Sequence, residues 1–218
     1  MEPIGIRYPT TMHVPFSPGV SKDDKRLRST ACLDGRETVA TLKMDGENTT
    51  LTRERFHARS PDSRHHPSRD WVARFHASIA HEIPDGWRVC GENLYALHSI
   101  AYADLPSYFM GFSVWDENDV CLGWDDSVDF MALLGIEPVP VLERGPFDPR
   151  AAQRLVSKLD VSRDEGVVWR VTEPFARADF ARSVAKWVRK GHVQTDEHWS
   201  RGPVVPNALR PGVPKMRP

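Results

Sequence analysis

A lysine at the end of a β-branched run is the first residue in this chain whose setting suits chemistry. Thr38-Val39-Ala40 leads into Thr41-Leu42-Lys43-Met44-Asp45-Gly46-Glu47-Asn48, which reads as a short strand followed by a turn at Asp45-Gly46. An amine must lose a proton before it can act as a nucleophile, and burial or nearby cations favour that loss. Taken alone, Lys-x-Asp-Gly describes a surface hairpin just as well. Three later stretches change the balance: Gly91-Glu92-Asn93, Glu165-Gly166-Val167-Val168 and Lys186-Trp187-Val188-Arg189. Each stands at the end of a β stretch, and strand ends in one sheet can converge on one cleft. A nucleophilic lysine, two carboxylates and a second lysine fit nucleotidyl transfer. The Lys43 amine would attack an α-phosphorus while a carboxylate holds Mg²⁺ against the phosphates. Lys186 would offset charge on the α-phosphate and depress the pKa of Lys43.

The elements that must position these groups follow from local pattern. Thr49 to Thr52 starts the hairpin partner of the Lys43 strand. Arg53 to Arg69 reads as a polar loop with Arg53, Arg55, Arg59, Arg64 and Arg69, basic enough to hold phosphates. Ser68 is placed to N-cap a helix over Arg69–Ile83, with Trp71, Val72, Phe75, Ile79 and Ile83 as its apolar stripe, closed by Pro84-Asp85-Gly86. His76 and His81 are five apart and do not share a helical face, so they read as surface or core-edge histidines. Trp87 to Cys90 and Tyr108 to Trp115 are strands, the second turned by Asp116 to Asp119 into Val120-Cys121-Leu122. Helices are expected near Asp126–Leu134 and from Asp148-Pro149, where Ala152, Leu155, Val156 and Leu159 form the stripe. Glu165 to Val171 and Ser183 to Arg189 are the last strands, joined through Phe175–Phe180.

The 218 residues allow one large domain or two small ones. We divide them into a turn-rich N-terminal segment (1–30), a catalytic domain (31–199) and a Pro-rich tail (200–218) expected to be mobile, with few groups to bury. The formal net charge of −1 argues against bulk electrostatic steering of a polyanion, leaving only a local basic surface for that purpose. Three well-separated cysteines and no Cys-x-x-Cys point to a reduced protein without a zinc ribbon. No apolar run has membrane-spanning length, and a cytoplasmic location is expected.

The order Lys43-x-Asp45-Gly46, Gly91-Glu92, an aromatic strand ending in Asp116, Glu165-Gly166-Val167-Val168 and a lysine strand resembles the covalent nucleotidyltransferases, specifically the ATP-dependent RNA ligases of the Rnl2-like branch. It matches their motifs I, III, IIIa, IV and V from about Thr38 to Trp199. His13 to Gly19 and His192 to Trp199 also look like small single-domain members of that group. The resemblance implies an α+β adenylyltransferase (nucleotidyltransferase) domain of mostly antiparallel sheets, flanking helices and a central nucleotide cleft. It implies that Lys43 takes AMP, that Leu42 and Asn48 line the nucleotide or nucleic-acid site, and that Arg59 engages phosphate or the 3′-OH strand. Glu92 would contact the ribose, Phe112 would stack on adenine, Glu165 would bind Mg²⁺ (or Mn²⁺), and Lys186 would contact the α-phosphate. Relatives often carry Lys-x-Lys in motif V; here position 188 is valine, and Arg189 or Lys190 stands in as a substitute. The implied substrates are ATP and RNA ends, including nicked duplexes or RNA/DNA hybrids, and a monomer is expected.

Alternatives stay open within this reading. Phe109 could face the nucleotide in place of Phe112, and Arg53 and Arg55 compete with Arg59. His192, Asp196, Glu197 and His198 have metal-ligand types, but a polar helix start or hydrogen-bond cluster accounts for them without zinc. A DNA ligase would share the first-step residues but usually carries an oligonucleotide-binding domain. A capping-type guanylyltransferase would differ in base choice. A nucleic-acid-binding module would have no need of a nucleophilic lysine.

Overall fold

A computed structural model of the chain describes residues 5–20, 24–191 and 203–213. The strands in chain order are β1 (Met12–His13), β2 (Glu37–Lys43), β3 (Glu47–Thr52), β4 (Phe56–Ala58), β5 (Arg88–Asn93), β6 (Phe109–Trp115), β7 (Val120–Cys121), β8 (Glu137–Pro138), β9 (Val141–Pro146), β10 (Gly166–Val171), β11 (Phe175–Ala176) and β12 (Val184–Val188). The helices are α1 (Asp70–Ile79), α2 (Trp124–Leu133), α3 (Pro149–Ser157) and α4 (Phe180–Ser183). The strands form a five-stranded sheet, β1-β12-β10-β2-β9, and a seven-stranded one, β11-β7-β6-β5-β3-β4 with β8 on β6. Apart from the β1–β12 and β6–β8 pairs the ladders are antiparallel, so the expected α+β class holds.

The first correction concerns the Lys43 strand. β2 and β3 are not a hairpin: β2 pairs with β10 and β9, whereas β3 pairs with β4 and β5. The chain leaves one sheet after Lys43 and enters the other at Glu47. The physical reason is burial on both faces of β2, where Thr38, Val39, Ala40 and Thr41 are all buried. Such a strand belongs in the centre of a sheet, between two long partners. The site strands therefore come from two sheets, not one.

The two sheets share their cores. Ala40, Val167 and Trp169 of the smaller sheet pack in one cluster with Cys90, Trp115 and Cys121 of the larger. Val39 and Met44 join Leu94, Met110 and Trp124 in a second. Leu51, Val89, Phe109 and Val114 hold α1 through Val72 and Ile79. Each fully buried side chain of this size contributes roughly 1.5–3 kcal/mol relative to exposure.

Local chemistry moves the helix boundaries. A 3-10 turn at Pro67–Arg69 precedes α1, and a second at Ala80–Glu82 follows it. Ser68 does not cap α1, because its hydroxyl pairs with His66 Nδ1 (2.8 Å) and its carbonyl accepts from Asn93 Nδ2 (3.1 Å). Asp148 caps α3 as expected, its carboxylate accepting from Ala151 N at 2.6 Å. Residues 53–69 are not all loop, since β4 lies within them and His57 and Ala58 are buried.

Residues 203–213 do not match the expectation of a tail with few groups to bury. Asn207 is buried, donates Nδ2 to Leu94 O (2.8 Å) and Ala96 O (3.3 Å), and accepts from Tyr102 N (2.9 Å). An amide that satisfies three backbone groups docks a segment that hydropathy alone leaves free. The stretch His192 to Trp199, with its four metal-type residues, lies outside the described residues.

Candidate active site

Lys43 is the last residue of β2, and its register partner on β10 is Gly166. A Cβ at position 166 would lie 2.1 Å from Trp187 O, so only glycine lets β12 come this close. Glu165 is thereby delivered at the start of β10. Its Oε2 accepts from Lys43 Nζ at 2.5 Å, with the lysine side chain 25 % exposed and the glutamate 6 %.

Asp45 secures the crossing between sheets. Its Oδ2 accepts from Ser99 N (2.7 Å), Ser99 Oγ (2.8 Å) and Ile100 N (2.8 Å), and its own N–H donates to the Tyr102 hydroxyl (2.9 Å). Three donors on one carboxylate oxygen hold the loop after β5 against the turn. Asn48 on β3 stands opposite Glu92 on β5.

One cavity of about 280 Å³ lies between the sheets, and Leu42, Lys43, Asn48, Arg59, Glu92, Phe112 and Lys186 all line it, whereas Glu165 is outside the lining and meets it through Lys43. The alternatives left open by the sequence fall in different places. Phe112 faces the cavity, whereas Phe109 is fully buried against Phe75 under α1. Arg59 lines it, whereas Arg53 turns away to Ile83 O (3.0 Å) and Asp85 (2.8 Å). Arg189 and Lys190, the substitutes for a second motif V lysine, are not in the lining; Arg189 Nη2 donates to Ser99 Oγ at 3.3 Å and Lys190 is exposed.

The electrostatics correct the expectation for the nucleophile. Burial pulls the Lys43 ammonium down, but Glu165, Glu92 and Asp45 outweigh it and the net direction is up. Lys43 is held as a charged partner of Glu165, and Lys186 is not what governs it. Lys186 is itself pushed down by burial, opposed by Asp24, with Lys43 adding a smaller push in the same direction as burial. Glu92 keeps part of its surface open to the cavity, yet burial foremost, followed by the opposing pull of Lys43 and the push of Glu165 and Asp45, leaves its carboxyl at about 8. At neutral pH it is mostly protonated and can donate a hydrogen bond.

Sequence reasoning missed two contributors. Tyr8, from the N-terminal segment, lines the cavity with its ring 5.3 Å from Phe112 and nearly perpendicular to it. Arg170 lines it from β10, buried, with Nη1 on Phe112 O (3.3 Å), Nη2 on Leu122 O and its guanidinium 5.6 Å from the Trp124 and Phe175 ring centres. Among the described residues no carboxylate pairs with it. The signal for Arg170 was strand alternation: it shares a face with Val168, two residues after the Glu-Gly-Val-Val signature.

Two buried polar atoms in the lining, Asn48 Oδ1 and Arg59 Nε, lack a hydrogen-bond partner. Buried polar atoms are rarely left so, and an acceptor beside a guanidinium donor suits a ligand with both hydroxyl and anionic groups. For a divalent cation, no cluster of three His, Cys, Asp or Glu exists among the described residues.

A lysine at the crossing between the two sheets is thus paired to a strand-end glutamate, and a second lysine lines the same cavity. Solved structures share this fold. An archaeal ATP-dependent RNA ligase matches with TM-score 0.58 and 14% identity over 84% of this chain and 48% of its own. A Naegleria gruberi RNA ligase variant with ATP and Mn gives 0.54 and 14%, covering 84% and 57%. A putative ATP-dependent DNA ligase from Aquifex aeolicus gives 0.55 and 16%, covering 84% and 50%. The chain thus spans about half the length of these proteins. No curated protein sequence matches. The sequence model of the RNA ligase family matches residues 36–188, and the chain belongs to that family.

Proposed function

We propose that this chain is an ATP-dependent RNA ligase that joins 3′-OH and 5′-phosphate ends through a lysyl-AMP intermediate. The observation that carries the reading is the Lys43–Glu165 pair at the rim of a cavity that Lys186 also lines. In the first step a bond forms between Lys43 Nζ and the α-phosphorus of ATP, the bond to pyrophosphate breaks, and the amine gives up its proton. The Lys43–phosphorus bond is then exchanged for one to a 5′-phosphate oxygen. Attack by a 3′-OH on that activated end forms the phosphodiester and releases AMP.

The residues divide the work. Lys43 must leave its ion pair with Glu165 to attack, and Lys186 supplies charge opposite the phosphate oxygens. Phe112 offers a face for the base, and Glu92, as a protonated carboxyl, offers a donor to the ribose. Leu42, Asn48 and Arg59 complete the wall, with the two orphaned polar atoms as contacts for the nucleotide or the RNA end. Glu165 would hold Mg²⁺ (or Mn²⁺), which when bound would neutralise charge on the phosphates.

Incubation with ATP or GTP and Mg²⁺ followed by intact-mass measurement tests the reading. Addition of one AMP, mapped to Lys43, is expected. Addition of GMP would favour a guanylyltransferase, and no addition would remove the proposal. A panel of nicked duplexes and single strands, with RNA or DNA on each side of the junction, then identifies the ends.

A further inference from the structure

Residues 12–19 and 24–27, ahead of β2, lie along the outer edge of β12 and reach Lys186. β1 runs parallel to β12 with His13 opposite Lys186, and Val14 N donates to Lys186 O at 2.8 Å. Farther along, Val188 N donates to Ser17 Oγ and Gly19 N to Val188 O, both at 3.0 Å. A Cβ at Gly19 would lie 2.1 Å from Arg189 O, so this approach again needs glycine. The strap then returns: His13 N donates to Lys25 O and Leu27 N to His13 O, each at 2.8 Å. That return carries Asp24 onto the lysine. Asp24 Oδ1 lies 3.1 Å from Lys186 Nζ, and Oδ2 lies 3.4 Å from His13 Nε2. Lys186 is 16 % and Asp24 19 % exposed, so water screens the pair only partly.

We propose that Asp24 is a positioning residue for Lys186: it fixes the ammonium at the phosphate side of the cavity and makes the N-terminal strap part of the catalytic apparatus. The inference rests on the nucleotidyl-transfer reading above. A lysine has three N–H donors on a flexible stem. One donor spent on Asp24 leaves two to face a phosphate and removes most of the freedom of the stem before the nucleotide arrives. The charge argument runs in parallel. Burial pushes Lys186 down, Lys43 adds to that push, and Asp24 with Glu165 opposes it; His13, when charged, competes for the same carboxylate. A carboxylate beside the phosphate site would otherwise repel the nucleotide, and holding the lysine compensates for it.

The test is a double-mutant cycle on single-turnover self-adenylylation with Asp24→Asn, Lys186→Ala and the pair. Asp24→Asn keeps the shape and loses the charge. It is expected to lower the rate at saturating ATP about ten-fold, with a smaller change in the ATP concentration needed for half-saturation. Asp24→Glu should recover part of that loss. In the Lys186→Ala background the same substitution should cost nothing further. A full additional loss there, or a rate at or above the parent in Asp24→Asn, overturns the proposal. A second readout needs no catalysis: acetylation of Lys186 against pH, mapped by peptide mass, should show the amine titrating at lower pH in Asp24→Asn. An unchanged profile also overturns the proposal. A parent chain that takes no label from ATP, with the acetylation shift present, would instead remove the ligase reading and leave the hold of Asp24 on Lys186 standing.

Discussion

Lys43 and Gly166 face each other across β2 and β10, so Glu165 stands at the end of the ladder with its Oε2 2.5 Å from Lys43 Nζ. The amine of Lys43 and the carboxylate of Glu165 lie 122 residues apart in sequence and are brought together by strand register. Gly166 also pairs with Val188 on the other side, which ties the lysine of β12 to the same frame.

Lys43→Ala should abolish transfer of label from α-labelled ATP, since among the described residues no other lysine pairs with Glu165. Ends adenylylated in advance should still be sealed, because they bypass the lysine adduct. Gel assays of both steps check this, and undiminished labelling would remove Lys43 from its role.

Glu165→Gln keeps size and loses charge. Two effects follow with opposite signs. The carboxylate that holds Lys43 up is gone, so the acid limb of the adenylylation pH–rate profile should move to lower pH. On the proposed role of Glu165 in holding a hard cation, the maximal rate should also fall sharply at every Mg²⁺ concentration. Retention of the parent rate across a Mg²⁺ titration would make Glu165 structural.

Lys186→Ala should lower the adenylylation rate and move the profile to higher pH, since a positive neighbour of Lys43 is lost. The displacement should be smaller than the opposite one in Glu165→Gln, because the carboxylates dominate at Lys43. Lys186→Arg should recover only part of the rate, as a planar guanidinium does not replace an ammonium point charge. Single-turnover rates against pH for the parent and the three variants decide it.

Glu92 should make stability pH-dependent. Its folded value of about 8 is above the ordinary 4.5, so the folded state binds the proton more tightly. The stabilisation is fully present below the ordinary value and is lost as pH rises through about 8. Glu92→Gln cannot ionise and should flatten the decline in melting temperature across that window. Thermal unfolding from acid to mildly alkaline pH tests it; parallel curves for parent and variant would refute the assignment.

Asn207→Ala should destabilise the fold by about 1–3 kcal/mol, because it leaves Leu94 O and the Tyr102 N–H buried without partners. Urea unfolding measures this. A change within error would mean that water replaces the amide.

The chain by itself determined the order of the chemistry-bearing groups and most strands, because both follow from local pattern. Glu165-Gly166-Val167-Val168 is legible as a β-run after a carboxylate, and Asp148-Pro149 as a helix start, since each depends on neighbours a few residues away. Tertiary structure alone decided which strands share a sheet. Thr49 to Thr52 has the alternation of a hairpin partner for β2, but the burial of β2 on both faces gives its two edges to β9 and β10. It also decided the charge state of Lys43, which depends on Glu165, Glu92 and Asp45 meeting in space; the sequence argument, seeing a second lysine and burial, arrived at the opposite sign. Asp24, Tyr8 and Asn207 lie in polar or Pro-rich segments whose own composition offers little to bury. Their places are made by partners 162 residues away for Asp24 and 113 for Asn207, and such pairings are decided by the packed sheets rather than by local propensity.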